Sequence, residues 1–198
     1  VSEIFTNVVE ISEPTVPEAV DNHVVEFPSQ NEAQAADTVE GFLTLVLQNS
    51  AAADEEIYFR GHSDKKYRLV PTLLRTDELG NYLHLQNEDR MFSELECAHP
   101  SEFAADRYVF ERLVRMQHFG LPTRLLDVTA NPLVALFFCC QKRNDGVEGE
   151  VVLFRPQRNS IQFYDSGLVS CLSNLARLPY RSKELLKLNA SMEEFNVS

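Results

Sequence analysis

The residue types that could do chemistry fall in two stretches. The first is IYFRGHSDKKYRLVPTLLR, Ile57 to Arg75, where three β-prone residues run straight into Arg60, Gly61, His62 and Asp64. An arginine at the end of an apolar strand has two readings. In one it snorkels into solvent while the chain turns on Gly61. In the other the strand holds it so that the guanidinium points into a site for an anion. The second stretch is MQHFGLPTRLLDVTANPLVALFF, Met116 to Phe138, which interleaves Gln117, His118, Arg124, Asp127, Thr129 and Asn131 with core-type residues. A polar loop between two helices, with a strand in its middle (RLLDV), carries these side chains to a helix N-terminus at Asn131. Its unpaired N–H groups and partial positive charge suit an anion. Each residue also has a plain structural reading. Arg124 and Asp127 can be a buried pair, Thr129 and Asn131 caps, and His118 a core histidine with its hydrogen bonds satisfied.

The wording of these stretches, with SNLARL further on, resembles the bacterial FRG domain family, named for the Phe-Arg-Gly seen here at Phe59–Gly61. The resemblance covers approximately Asp37 to Leu186. It implies a protein of bacteria, phages or mobile elements, with a role in conflict or defence such as that of a cytoplasmic toxin. A weaker resemblance is to the ADP-ribosyltransferases of the arginine-serine-glutamate class. YFRG is similar to their first element, and LLDVTANPLVALFF to their second, with Asp127-Val128-Thr129 where Ser-Thr-Ser would stand. This implies NAD as cofactor. Arg60 would take its pyrophosphate or ribose, because a planar fork of donors suits an oxyanion, and Thr129 would bond the nicotinamide ribose. Gly61, Gln117, Arg124, Asp127 and Asn131 complete the implied cofactor-binding set, and His118 joins Arg60 and Thr129 as a catalytic candidate. The transferase pattern also needs a glutamate on a later strand. Glu148-Gly149-Glu150 comes too early and reads as a turn before VVLF. The family's further block, an Arg-Ile and a Gln before Gly and Phe, does not follow Leu186, so the FRG domain assigned to residues 37–198 is expected to lack it.

Three functions stay open on these residues. One is an NAD-dependent ADP-ribosyltransferase-like effector acting on a protein or RNA target. Another is a non-enzymatic sensor or interaction module that binds a nucleotide or phosphate through Arg60, Gln117, His118 and Arg124. The third is a hydrolase or nuclease with His118 as general base and Asp127 as its orienter.

Around these residues the chain, 198 residues long, can bury one sizeable core. Its longest wholly apolar run, Leu133 to Cys140, is eight residues, against the roughly 20 of a membrane helix. The net charge of −12 is uneven: residues 1–59 hold 12 acids and no Lys or Arg, while the remainder holds 18 of each sign. Residues 1–36 therefore read as an acidic, solubilising N-terminal extension that repels phosphates. With Pro14, Pro17 and Pro28 it adds at most an edge strand, from EIFTNVVEI or NHVVEF. Cys97, Cys139, Cys140 and Cys171 form no Cys-x-x-Cys, with only Cys97 and His99 closely spaced, and read as buried reduced thiols, so no metal is expected.

The elements expected from pattern and caps are a helix capped by Asp37 with Glu40 three residues on, and a buried strand at Ile57–Phe59. Helices follow within Asn87–Cys97, from Phe103 to Met116 ending at Gly120, and from Asn131-Pro132. GEVVLF is a strand and GLVSCLSNLARL a helix. The fold class is α+β: a small mixed sheet with packed helices, which the second resemblance makes ADP-ribosyltransferase-like.

Overall fold

The computed structural model describes residues 6–11, 34–141 and 146–184. In chain order its elements are strands β1 (Thr6–Ile11) and β2 (Gln34–Ala36), helix α1 (Val39–Gln48) and strand β3 (Tyr58–His62). Helices α2 (Glu88–Ala98), α3 (Pro100–Phe103), α4 (Val109–His118) and α5 (Pro132–Cys139) follow, then strand β4 (Gly149–Phe154) and helices α6 (Gly167–Asn174) and α7 (Tyr180–Glu184). The fold is α+β. It divides into two units, Val1–Leu69 with Asp127–Ile161 and Val70–Leu126 with Gln162–Ser198.

The first unit is built on a mixed sheet of order β2-β1-β4-β3, in which β1 runs parallel to β4 and the other pairs are antiparallel. The expected edge position of the N-terminal segment is corrected here. Thr6–Ile11 pairs along its whole length with β4 and on its other side with β2, so it is an inner strand. The reason lies in composition: TNVVEI is rich in β-branched residues, and the prolines that argued for an edge all come after it. NHVVEF lies outside the described residues.

Side chains alternate on β3 and β4, and one face meets α5. Phe59, Val151 and Leu153 pack with Ala135, Leu136 and Cys139, and with Ala36 and Phe42, in one core. α1 caps one residue later than expected. The Thr38 hydroxyl accepts the Gly41 N–H at 3.0 Å, because Thr38 holds the extended backbone of a cap.

The second unit packs Phe92, Phe103, Leu113, Met116 and Ala176 into a separate core. The helix expected from Phe103 to Met116 is two helices, α3 and α4. Glu111 explains the break, since its carboxylate accepts the N–H groups of Arg107 and Tyr108 at 2.7 and 3.0 Å and so caps the start of α4. Gly120 stops α4 with φ of 88°, as its position before Pro122 suggested. RLLDV is no strand; its Leu125, like Leu121 just ahead of it, packs against the helical core instead. Glu88, buried to 4% side-chain exposure, is gripped by Arg124 through both oxygens and by Lys183 of α7.

Of the four cysteines, Cys139 is buried and Cys140 half-buried, but Cys97 and Cys171 are exposed, which corrects the reading of all four as buried thiols. Among the described residues no group of three His, Cys, Asp or Glu side chains is placed to hold a metal. No helix among them is long and apolar enough to cross a membrane.

Candidate functional site: an arginine-centred cleft

β3 does not stop at Arg60. It continues through Gly61 to His62, each paired with β4. The glycine is there because of α5: a Cβ on Gly61 would lie 1.9 Å from the carbonyl oxygen of Ala135 and 2.7 Å from the amide nitrogen of Cys139. Gly149, at the start of β4, is under the same constraint, with a Cβ falling 2.4 Å from the Cys139 sulfur. Two side-chain-free positions on adjacent strands thus let the helix backbone lie directly on the sheet. This replaces the expected turn on Gly61.

On the other side of the alternation, Arg60 and His62 share a face. The Arg60 guanidinium donates through Nε to His62 Nε2 at 3.0 Å and through Nη1 to the carbonyl oxygen of Asp127 at 2.7 Å. Beside it opens a cleft of about 230 Å³, walled by Phe59, Arg60, Asp127, Val128, Thr129 and Phe138. The opposite wall is brought in by backbone pairing. Phe59 and Thr129 exchange two N–H···O bonds of 2.7 and 2.8 Å, which adds a single antiparallel bridge to the free side of β3. From there the chain enters α5, where Asn131 caps by accepting the Leu133 N–H at 3.0 Å and Thr129 Oγ1 accepts the Asn131 N–H at 3.1 Å. The capping reading of Asn131 is therefore what the structure shows, whereas Thr129 stands two residues ahead of the cap and bonds the N–H of the cap residue itself.

Five of the residues selected from sequence, Arg60, Gly61, Asp127, Thr129 and Asn131, belong to the first unit, and the first four line this cleft. Gln117, His118 and Arg124 belong to the second. There Gln117 Oε1 accepts from the Thr123 hydroxyl, which is buried. His118 is exposed at the end of α4, not in the core, beside a separate open groove with Asp106, Arg115 and Tyr164. Arg124 does not make the buried pair with Asp127 that its spacing suggested; its partner is Glu88, at 2.8 Å from Nε. Within that groove Arg115 binds both oxygens of Asp106 at 2.8 and 2.9 Å and holds the Asp106 carboxyl below its usual range.

Sequence reasoning passed over His62 and Glu150. His62 is buried, and Glu150 is its register partner on β4, in a strand and not in a turn. The Glu150 carboxylate lies 3.9 Å from His62 Nδ1 and is 18% exposed; burial pushes its pKa up, and the nearby Lys65 partly offsets this. The alternation Tyr58, Arg60, His62 within YFRGH was the available signal, had the strand been carried past the glycine.

What fold and site define is an α+β domain that fixes one strand arginine, between a histidine and a backbone carbonyl, at the rim of a small cleft. The chain carries an FRG domain, whose family model matches residues 55–148, a span that contains β3, the Phe59–Thr129 bridge and α5. No curated protein and no solved structure matches the chain.

Proposed function

We propose that this FRG domain is a nucleotide-binding module in which Arg60 takes a phosphate and the adjoining cleft takes the neighbouring sugar or ring. Its setting is the bacterial or phage conflict that the family resemblance implies. The observation that carries the reading is the fixed guanidinium at a cleft walled by apolar Val128 and Phe138 and the hydroxyl-bearing Thr129. A planar fork held in one plane pairs with an oxyanion through two bonds at little further ordering cost. At about 230 Å³ the cleft is below the roughly 300–1,000 Å³ of whole-ligand pockets, so it takes one moiety of a dinucleotide and leaves the rest outside.

The catalytic form of the same reading, an ADP-ribosyltransferase-like effector using NAD, is favoured by one feature. Glu150 stands on β4, next to the strand of Arg60, and supplies a carboxylate that a turn would not fix.

The test is calorimetric titration of wild type and Arg60→Lys with NAD, ADP-ribose and a short RNA. Lysine keeps the charge and loses the fork, so affinity for NAD or ADP-ribose falls on the order of 30- to 150-fold, equivalent to about 2–3 kcal/mol. No wild-type binding to any of the three ends the nucleotide reading. NAD turnover that Glu150→Gln abolishes assigns transfer in place of simple binding.

A further inference from the structure

The hold on Arg60 has a second half. A guanidinium is always protonated and can only donate. For its Nε–H to bond His62 Nε2 at 3.0 Å, that ring nitrogen must present a lone pair. The ring is then neutral with its proton on Nδ1, the nitrogen that faces the Glu150 carboxylate at 3.9 Å. The ring's surroundings keep this orientation. His62 is 6% exposed, meets the edge of Tyr67 at 6.3 Å between centroids, and sits on a strand whose partner residue in register is Glu150 itself. The other tautomer would place a donor against a donor at Arg60, and a ring flip would put the Cε1–H there in place of the Nε2 lone pair.

We propose that His62 is a positioning residue for Arg60: a neutral imidazole, beside the Glu150 carboxylate, whose Nε2 lone pair fixes the guanidinium at the cleft before any ligand arrives. The carbonyl of Asp127 fixes Nη1 from the other side, and two acceptors on different nitrogens define both the torsion and the plane of the group. An arginine side chain that is already ordered loses less freedom when it binds an anion. The consequence for affinity rests on the proposed nucleotide site; the tautomer does not.

Two measurements on the full chain test this. Long-range ¹H–¹⁵N correlation of the His62 ring reads the tautomer directly, and the expected result is a proton on Nδ1 together with a protected Arg60 Nε–H signal. Titration with ADP-ribose then compares His62→Leu with His62→Gln, whose side-chain oxygen stands about where Nε2 stood. His62→Leu weakens binding about tenfold, whereas His62→Gln stays within about threefold of wild type because an acceptor remains. A proton on Nε2 overturns the proposal, as does His62→Gln binding as weakly as His62→Leu, which makes the role one of volume. Should wild type bind no ADP-ribose, the nucleotide reading alone falls, and the tautomer with the Arg60 Nε–H signal still decides whether His62 holds the arginine.

Discussion

Replacing Gly61 by alanine puts a single methyl group where the structure has no room. The new Cβ would stand 1.9 Å from the Ala135 carbonyl oxygen and 2.7 Å from the Cys139 nitrogen. Both are backbone atoms of α5, so no side chain can rotate away. Heavy atoms at their best separation are about 3.5 Å apart, so strand and helix must part locally by about 1.5 Å. A gap of about 0.5–1 Å already forfeits a quarter to a half of a dispersion contact. The contacts at stake are those of Ala135, Leu136 and Cys139 with Phe59, Val151 and Leu153. The expected cost is about 3 kcal/mol or more, at the upper end for overpacking because backbone and not side chain must yield. Urea unfolding followed by near-ultraviolet circular dichroism measures it, with Gly167→Ala as control, since nothing lies within 4 Å of a Cβ there. A Gly61→Ala protein that loses less than about 1 kcal/mol refutes the packing argument.

Three further outcomes are expected. Glu88→Gln, which leaves Arg124 and Lys183 facing each other without their carboxylate, destabilises by about 3 kcal/mol in the same unfolding assay; a change under about 1 kcal/mol would make the cluster ornamental. Asp106 is held ionised by Arg115, so its contribution is present above the ordinary carboxylate range and is lost as pH falls through its lower folded value. The melting temperature of Asp106→Asn therefore lies below that of wild type at pH 7, and the two converge only once the pH has fallen through the lowered folded value of Asp106; a gap that does not narrow on acidification contradicts the pairing. Deleting Val1–Ile11 removes an inner strand and opens the side of β4, and it costs about 3 kcal/mol or more, as loss of a six-residue parallel ladder implies; unchanged thermal unfolding would show that the strand is dispensable.

Local chemistry was legible in the sequence wherever the cause was local. Asn131-Pro132 announced a helix start because cap and first-turn proline act within three residues of each other. Gly120 before Pro122 announced a stop for the same reason. The α+β class followed from such elements, and the FRG motif was visible as written. Partners distant in sequence were not legible. Arg124 was matched to Asp127 because it was near, while the carboxylate that binds it, Glu88, comes from the start of α2. Gly61 was read as a turn because nothing around it names the helix that needs its missing Cβ. RLLDV has the composition of a strand, and the packing of its Leu125 on helices decides against it. The break before α4 was hidden because a glutamate near a helix start and one inside a helix are spelled alike.

The Phe-Arg-Gly motif also acts as an index mark for its strand. Phe59 fills the core, Arg60 faces the opposite side, and Gly61 admits the helix. Because side chains change face at every residue, sliding β3 by one position against β4 and α5 would push the guanidinium into the space where Ala135 and Cys139 touch bare backbone in one direction, and into the core place of Phe59 in the other. It would also turn the phenylalanine out of the core. Sliding by two brings Phe59 to the place that excludes even a methyl group in one direction, and in the other sets His62 opposite Val152 in place of Glu150. Strand alignments that would ordinarily compete during folding are thus eliminated by three consecutive residues, and the arginine can reach its cleft only in the alignment that also closes the core.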